Sequence, residues 1–149
     1  MSFLSAFNTS VSGMTAQRQR VNTISENIAN AETTRTPQGG PYRRREVILA
    51  SVANDRTFEE ELLSQDRSVS TSTEVKVVGI VQDERPPILR FEPGHPDANE
   101  EGYVEMPNVN IMEEMVNLMS ANRSDEANTA AFNATKNMVQ SALDLGRNA

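Results

Sequence analysis

The sequence predicts an α+β protein in which two terminal helices flank a small inserted β-rich domain. Three observations lead there. Near the start, Phe7, Met14, Val21 and Ile28 recur at seven-residue spacing. Apolar steps of three and four return only beyond Asn110. Between them, positions 33–108 contain every proline and all glycines except Gly13 and Gly146.

The first helix is expected from about Ser2 to Asn30. Leu4, Val11 and Ile24 lie beside the seven-residue line, while Ser10, Gln17 and Arg18 interrupt it. So thin an apolar stripe needs a partner, because helix nucleation is costly and an isolated helix is marginal in water. The junction Ser25–Arg45, "SENIANAETTRTPQGGPYRRR", then passes through proline and paired glycine and ends on three arginines. Strands are expected at Glu46–Val52, Glu74–Val81, Ile88–Phe91 and Tyr103–Met106, with a long polar loop near 54–73. Asn110 suits an N-cap, Glu113 completes a capping box, and Gly146 suits a stop. On that second helix Ile111, Met115, Leu118 and Asn122 make one seam. Ala131, Thr135, Met138, Ala142 and Leu145 make another, one residue out of phase. Phe132, Val139 and Leu143 widen the apolar face. The expected domains are 1–34, 35–109 and 110–149, with the terminal helices forming an antiparallel, coiled-coil-like pair.

Composition narrows the function. The 149-residue chain has a net charge of −7, which argues against general binding to nucleic acid or anionic lipid. It has no cysteine, which removes disulfides, thiolate metal sites and cysteine catalysis. The run Val77–Val81 is far too short to cross a bilayer, so no membrane insertion is expected. The start lacks the basic region and sustained apolar core of a cleaved secretory signal. The N-terminal stripe and wide C-terminal face exceed what one mutual contact hides, which points to association surfaces. Met112, Met115, Met119 and Met138 supply side chains that adapt to inexact packing.

Three motifs carry a resemblance. "SGMTAQRQRVNTISENIANAETT", Ser12 to Thr34, is similar to the signature of the bacterial flagellar basal-body rod protein family, with Ile28 in the place of the usual Leu. Gly40-Pro41-Tyr42-Arg43-Arg44 resembles its proximal-rod branch. "GYVEMPNVNIMEEMVNLMSANRSDEAN", Gly102 to Asn128, and "ATKNMVQSALDLGR", Ala134 to Arg147, follow the same family's pattern. The motif positions are Asn27, Ala29, Asn30, Gly40, Pro41, Tyr42, Arg43, Pro107, Asn108, Arg123 and Asn128. One position departs: the family usually carries an aromatic where this chain has Asp125.

The resemblance implies a structural subunit of the proximal rod, assembled helically through its terminal helices to transmit torque, with no enzymatic activity and no cofactor. It implies export by the flagellar type III apparatus without a cleaved signal. It also implies contacts with copies of itself, other rod proteins, and membrane-ring and export-gate components. The expected helical seams of the assembly are Phe7, Val11, Met14, Val21, Ile24, Ile28, Met115, Leu118, Ala131, Met138, Val139 and Leu145. The rivals are another rod or hook-side component, and a small metal-binding or hydrolytic β protein using the loop around His95. That loop, Glu92–Gly102, gathers His95, Asp97, Glu100 and Glu101, but its Pro-Gly and Asn-Glu-Glu-Gly pieces are turn chemistry. No catalytic or metal residue is therefore assigned. Arg43-Arg44-Arg45 admits a phosphate clamp or a solvated strand start. Under the resemblance, the preferred reading is an interface in which arginines meet Glu113 or Glu114 of a neighbour. Glu59-Glu60-Glu61 reads as a solvated charge run.

Overall fold

A computed structural model describes residues 3–53 and 73–147. The polar loop expected near 54–73 lies, apart from Thr73, outside these residues, as does Glu59-Glu60-Glu61. The elements follow in the order α1 (Phe3–Ala29), β1 (Arg45–Ala53), β2 (Thr73–Gln82), β3 (Ile88–Phe91), β4 (Tyr103–Met106) and α2 (Ile111–Arg147). The architecture is thus α+β, with terminal helices and two small antiparallel sheets between them.

Each helix end has a local cause. Asn110 caps α2, its Oδ1 accepting the Met112 N–H at 3.1 Å and its carbonyl accepting the Glu114 N–H at 2.9 Å. Glu113 and Glu114 put negative charge in the first turn, where the helix dipole favours it. At the other end α2 runs through Gly146 to Arg147 rather than stopping at Leu145. α1 ends where Asn30 turns back, its Nδ2 donating to the Glu26 carbonyl at 2.9 Å.

The two helices pack antiparallel. Phe7 meets Phe132 edge to face, with ring centroids 4.9 Å apart. Farther along, Gly13 leaves room for the Asn128 amide, 2.9 Å from where a Cβ would stand. At the opposite end Asn27 reaches Glu114. The inward line of α2 is Glu114, Leu118, Ala121, Asp125, Asn128, Phe132, Thr135 and Val139, in alternating steps of four and three, with Asn117 and Ser124 half-buried beside it. This single line replaces the two out-of-phase seams. Leu118 and Thr135 belong to it, while Ile111, Met115, Asn122, Ala131, Met138, Ala142 and Leu145 are exposed. The difference arises because much of the buried line is small or polar, so an apolar pattern cannot trace it.

β1 and β2 form a hairpin running from Arg45↔Gln82 to Ala53↔Thr73. Ile48 faces Gly79 and Leu49 faces Val77, so Val78 is the extra residue of a β-bulge. The hairpin lies along α1. Thr9 Oγ1 donates to the Thr73 carbonyl at 3.0 Å, and the Val75 N–H donates to Ser12 Oγ at 3.1 Å. Helix hydroxyls thereby occupy backbone groups on the β2 edge that would otherwise be open to another strand. β3 and β4 pair from Ile88↔Met106 to Phe91↔Tyr103, and the last two rings meet edge to face at 5.3 Å. Gly102 closes the intervening loop at φ +83°; a Cβ there would lie 3.0 Å from the Phe91 ring. Thr34 Oγ1 ties this loop back to the junction through Asp97 Oδ2 at 2.8 Å.

Within the helix pair, Gln17 Oε1 and Asp125 Oδ1 are buried without a hydrogen-bond partner among the described residues. A buried acceptor without a donor destabilises by about 1–3 kcal/mol. Asp125→Leu is therefore expected to raise the stability of the isolated chain by about 1 kcal/mol or more. Urea denaturation measures this, and a lowered midpoint would contradict it.

Candidate assembly site

The Ser25–Arg45 junction folds into a polar knot with the start of α2. Asn27, on the last turn of α1, points between α2 and the segment leading into β1. Its Oδ1 accepts the Tyr42 hydroxyl at 2.9 Å and the Arg45 N–H at 2.9 Å. Its Nδ2 donates to the Arg45 carbonyl at 2.8 Å and to Glu114 Oε2 at 3.0 Å. All four bonds that an Asn amide can make are used. Glu114 Oε1 in turn takes Arg44 Nε at 2.8 Å and Arg44 Nη2 at 2.8 Å. Both Asn27 and Glu114 are 0% exposed.

Electrostatics follow from this burial. Loss of solvent opposes the Arg44 charge, but the hydrogen bond and field of Glu114 outweigh it and hold the guanidinium above its ordinary range. Burial pushes the Tyr42 hydroxyl upward, against the nearby Arg45 charge, which lies 5.8 Å over its ring. Sequence reasoning paired these arginines with acids of a neighbour; Arg44 instead finds Glu114 of its own chain. The missed residue is Glu114, whose place in the first turn reads as a solvated dipole partner. Its one sequence signal is that it falls four residues before Leu118 and seven before Ala121, on the seam.

The outward faces carry a different chemistry. On the first turns of α2, Ile111, Met112, Met115, Val116 and Met119 are exposed, Met112 by 71%. Toward its end Met138, Leu143 and Leu145 are exposed, Leu145 by 75%. Of the expected seam residues, Ile24 is buried. Phe7, Met14, Val21, Ile28, Leu118 and Val139 are half-buried, while Val11, Met115, Ala131, Met138 and Leu145 face outward. The family-motif positions divide in the same way. Asn27, Tyr42 and Pro107 are buried, Asn30, Pro41, Asn108 and Asn128 are half-buried, and Ala29, Gly40, Arg43 and Arg123 are exposed. Gly40 takes φ +74° in the turn that precedes Tyr42, a conformation that suits glycine.

The His95 loop is braced as a turn. His95 Nδ1 accepts the Asp97 N–H at 3.1 Å, and Asn99 Oδ1 accepts the Glu101 and Tyr103 N–H groups at 3.0 and 2.9 Å. Among the described residues no group of three or more His, Cys, Asp or Glu side chains could hold a metal ion. Also among them, no helix is long and apolar enough to cross a membrane.

Two measurements check this geometry. Asn27→Ala removes four bonds and strands buried partners, so it is expected to cost about 3 kcal/mol or more. Asn30→Ala loses its bond to the Glu26 carbonyl and the one from Thr33 Oγ1, both local to the turn, and is expected to cost about 1 kcal/mol. Equal effects in denaturation would contradict the knot. Separately, the Arg85 side chain and backbone N–H lower the Asp83 carboxyl from 3.8 to about 2. A depressed acid contributes stability above its unfolded value and loses it as pH falls through the folded one, here between about 3.8 and 2. The Arg85 partner is more than half exposed, so solvent screening keeps the gain small. In a carboxylate NMR titration, Arg85→Ala should return Asp83 toward 3.8; an unchanged value would refute the assignment.

Comparison with known proteins converges on one family. The model for "Flagella basal body rod protein" matches residues 7–35, and that for "Flagellar basal body rod FlgEFG protein C-terminal" matches residues 100–145. The chain is 42% identical to the flagellar basal-body rod protein FlgC of Borreliella burgdorferi, over 97% of this chain and 98% of that one. It is 43% identical to FlgC of Bacillus subtilis, over 99% and 100%. With FlgC of Salmonella typhimurium it shares 36% identity, over 99% and 100%. The matched segments cover most of both helices of the antiparallel pair and, from the knot, Asn27 and Glu114; the relatives extend across the sheets between them. The chain therefore belongs to the flagellar basal-body rod protein family, in its FlgC branch.

Proposed function

We propose that the chain is a structural subunit of the proximal rod of the flagellar basal body, without enzymatic activity. The observation that carries this reading is the exposed apolar surface on α2, at Met112, Met115, Val116 and Met119 near one end and Met138, Leu143 and Leu145 near the other. Surfaces of this kind are association sites. In the proposed rod, α1 and α2 act as an axial core whose outward seams meet neighbouring subunits in coiled-coil fashion. The expected seam positions that face outward, Val11, Met115, Ala131, Met138 and Leu145, are free to do so. The neighbours are other copies, other rod proteins, and membrane-ring and export-gate components at the rod base. Because such contacts do not close on themselves, they generate a helix, as a torque-bearing shaft requires.

The same reading divides the chain into an axial helix over 1–34, an inserted β-rich domain over 35–109 and a second axial helix over 110–149. It also takes the subunit through the flagellar type III export apparatus without a cleaved signal. The hydrolytic or metal-binding rival finds no specific support, since His95 Nδ1 is already engaged with its own turn.

Met115→Asp and Met138→Asp test the proposal. Both side chains are about half exposed, so each purified variant should keep its helical circular dichroism and stay within about 1 kcal/mol of the parent. In a strain lacking the native subunit, each should fail to enter the rod and leave the cells non-motile. Normal incorporation and swimming of both variants would reject these faces as assembly surfaces. His95→Ala should leave rod formation and motility unchanged.

A further inference from the structure

We infer that the knot makes closure of the helix pair conditional on prior or simultaneous seating of Tyr42–Arg45. Of the six polar contacts that Asn27 and Glu114 make there, one joins α1 to α2, the bond between Asn27 and Glu114 themselves. The other five go to the segment that leads into β1. Tyr42 supplies its hydroxyl, Arg45 its N–H and carbonyl, and Arg44 its Nε and Nη2. The helices therefore meet around a carboxylate that neither of them can satisfy.

Consider the pair without that segment. Glu114 would enter the interface with a single neutral amide for a partner. Asn27 would keep one bond of four. Burying an uncompensated carboxylate is strongly unfavourable, and apolar packing along this seam is too slight to offset it. Five of its eight α2 positions, Glu114, Ala121, Asp125, Asn128 and Thr135, are small or polar. The helices thus remain apart, or pair only loosely at this end, until the strand-leading segment arrives with its guanidinium. The same penalty falls on wrong pairings. Another α2 laid on this seam would bury Glu114 without Arg44. The knot is thus an interlock that couples three parts of the chain and discourages helices from associating before the subunit has folded. This conclusion does not depend on the rod reading.

The interlock predicts non-additive behaviour that a simple tie does not. Hydrogen exchange on the full-length chain reads it at residues 24–29 and 111–118. Arg44→Ala strands the carboxylate and should raise exchange there by 100-fold or more. Arg44→Ala combined with Glu114→Leu removes the stranded charge and should restore protection to within about tenfold of the parent, although the ion pair is still missing. If Arg44→Ala is unfolded outright, the double variant should recover the helical circular dichroism. A double variant as open as Arg44→Ala, or more so, would overturn the interlock and leave an ordinary stabilising contact. Sedimentation of the double variant supplies a second reading. Self-association above that of the parent is expected once the penalty on wrong pairing is gone, and a strictly monomeric double variant would remove the claim against mispairing.

Discussion

The structure depends on a single buried carboxylate. Glu114 sits at the start of α2, where its charge suits the helix dipole, yet it is withdrawn from solvent completely. A charge in that position is tolerable only when it is paired and hydrogen-bonded. Arg44 and Asn27 meet the requirement, and meeting it draws the end of α1, the lead-in to β1 and the start of α2 to one point. The other contacts elaborate this arrangement. From the knot outward, α1 and α2 run side by side to the Phe7–Phe132 contact, and the β1–β2 hairpin lies back along α1 to Thr9 and Ser12.

The character of the helix interface explains how one chain can pair its own helices and still present apolar surface. Small and polar residues fill much of the internal seam, among them Ser10, Gly13, Asn27, Ala121, Asn128 and Thr135. The methionines of α2, with Leu143 and Leu145, lie on the outside instead. Many large apolar side chains of α2 thus stay exposed on the subunit, while polar bonding sets the internal register. Polar seams specify register more sharply than they stabilise. That division suits a member of a rod family, in which the individual subunit is a component and the stack is the working object.

Much of this was legible in the sequence. The four strands appear within one residue of their expected bounds, because alternation and turn residues act locally. Both helices were legible from three- and four-residue spacing and from Asn110. Within the subunit, the inward line of α2 takes only Leu118 and Thr135 from the two apolar seams, because periodicity weighs apolar side chains and that line includes Glu114, Asp125 and Asn128. The partner of Arg44 was also out of reach. Residues 44 and 114 are distant in sequence, and nothing in the order of residues between them says that the chain returns to this point. Asn27 was legible as a motif position but not as the hub of four bonds, which needs the fold. The His95 loop offered metal-like composition, and its backbone bonds reveal a turn.

The central claim is that Asn27, Arg44, Tyr42 and Glu114 form one closed, largely buried network in the folded chain. The direct measurement is side-chain hydrogen exchange by NMR on the Asn27 Nδ2 and Arg44 Nε protons of the unmodified protein. The account predicts two distinct, slowly exchanging Asn27 amide protons and a protected Arg44 Nε–H that exchange together with the first turn of α2. Degenerate Asn27 protons and an Arg44 Nε–H that exchanges as fast as that of a surface arginine would contradict it.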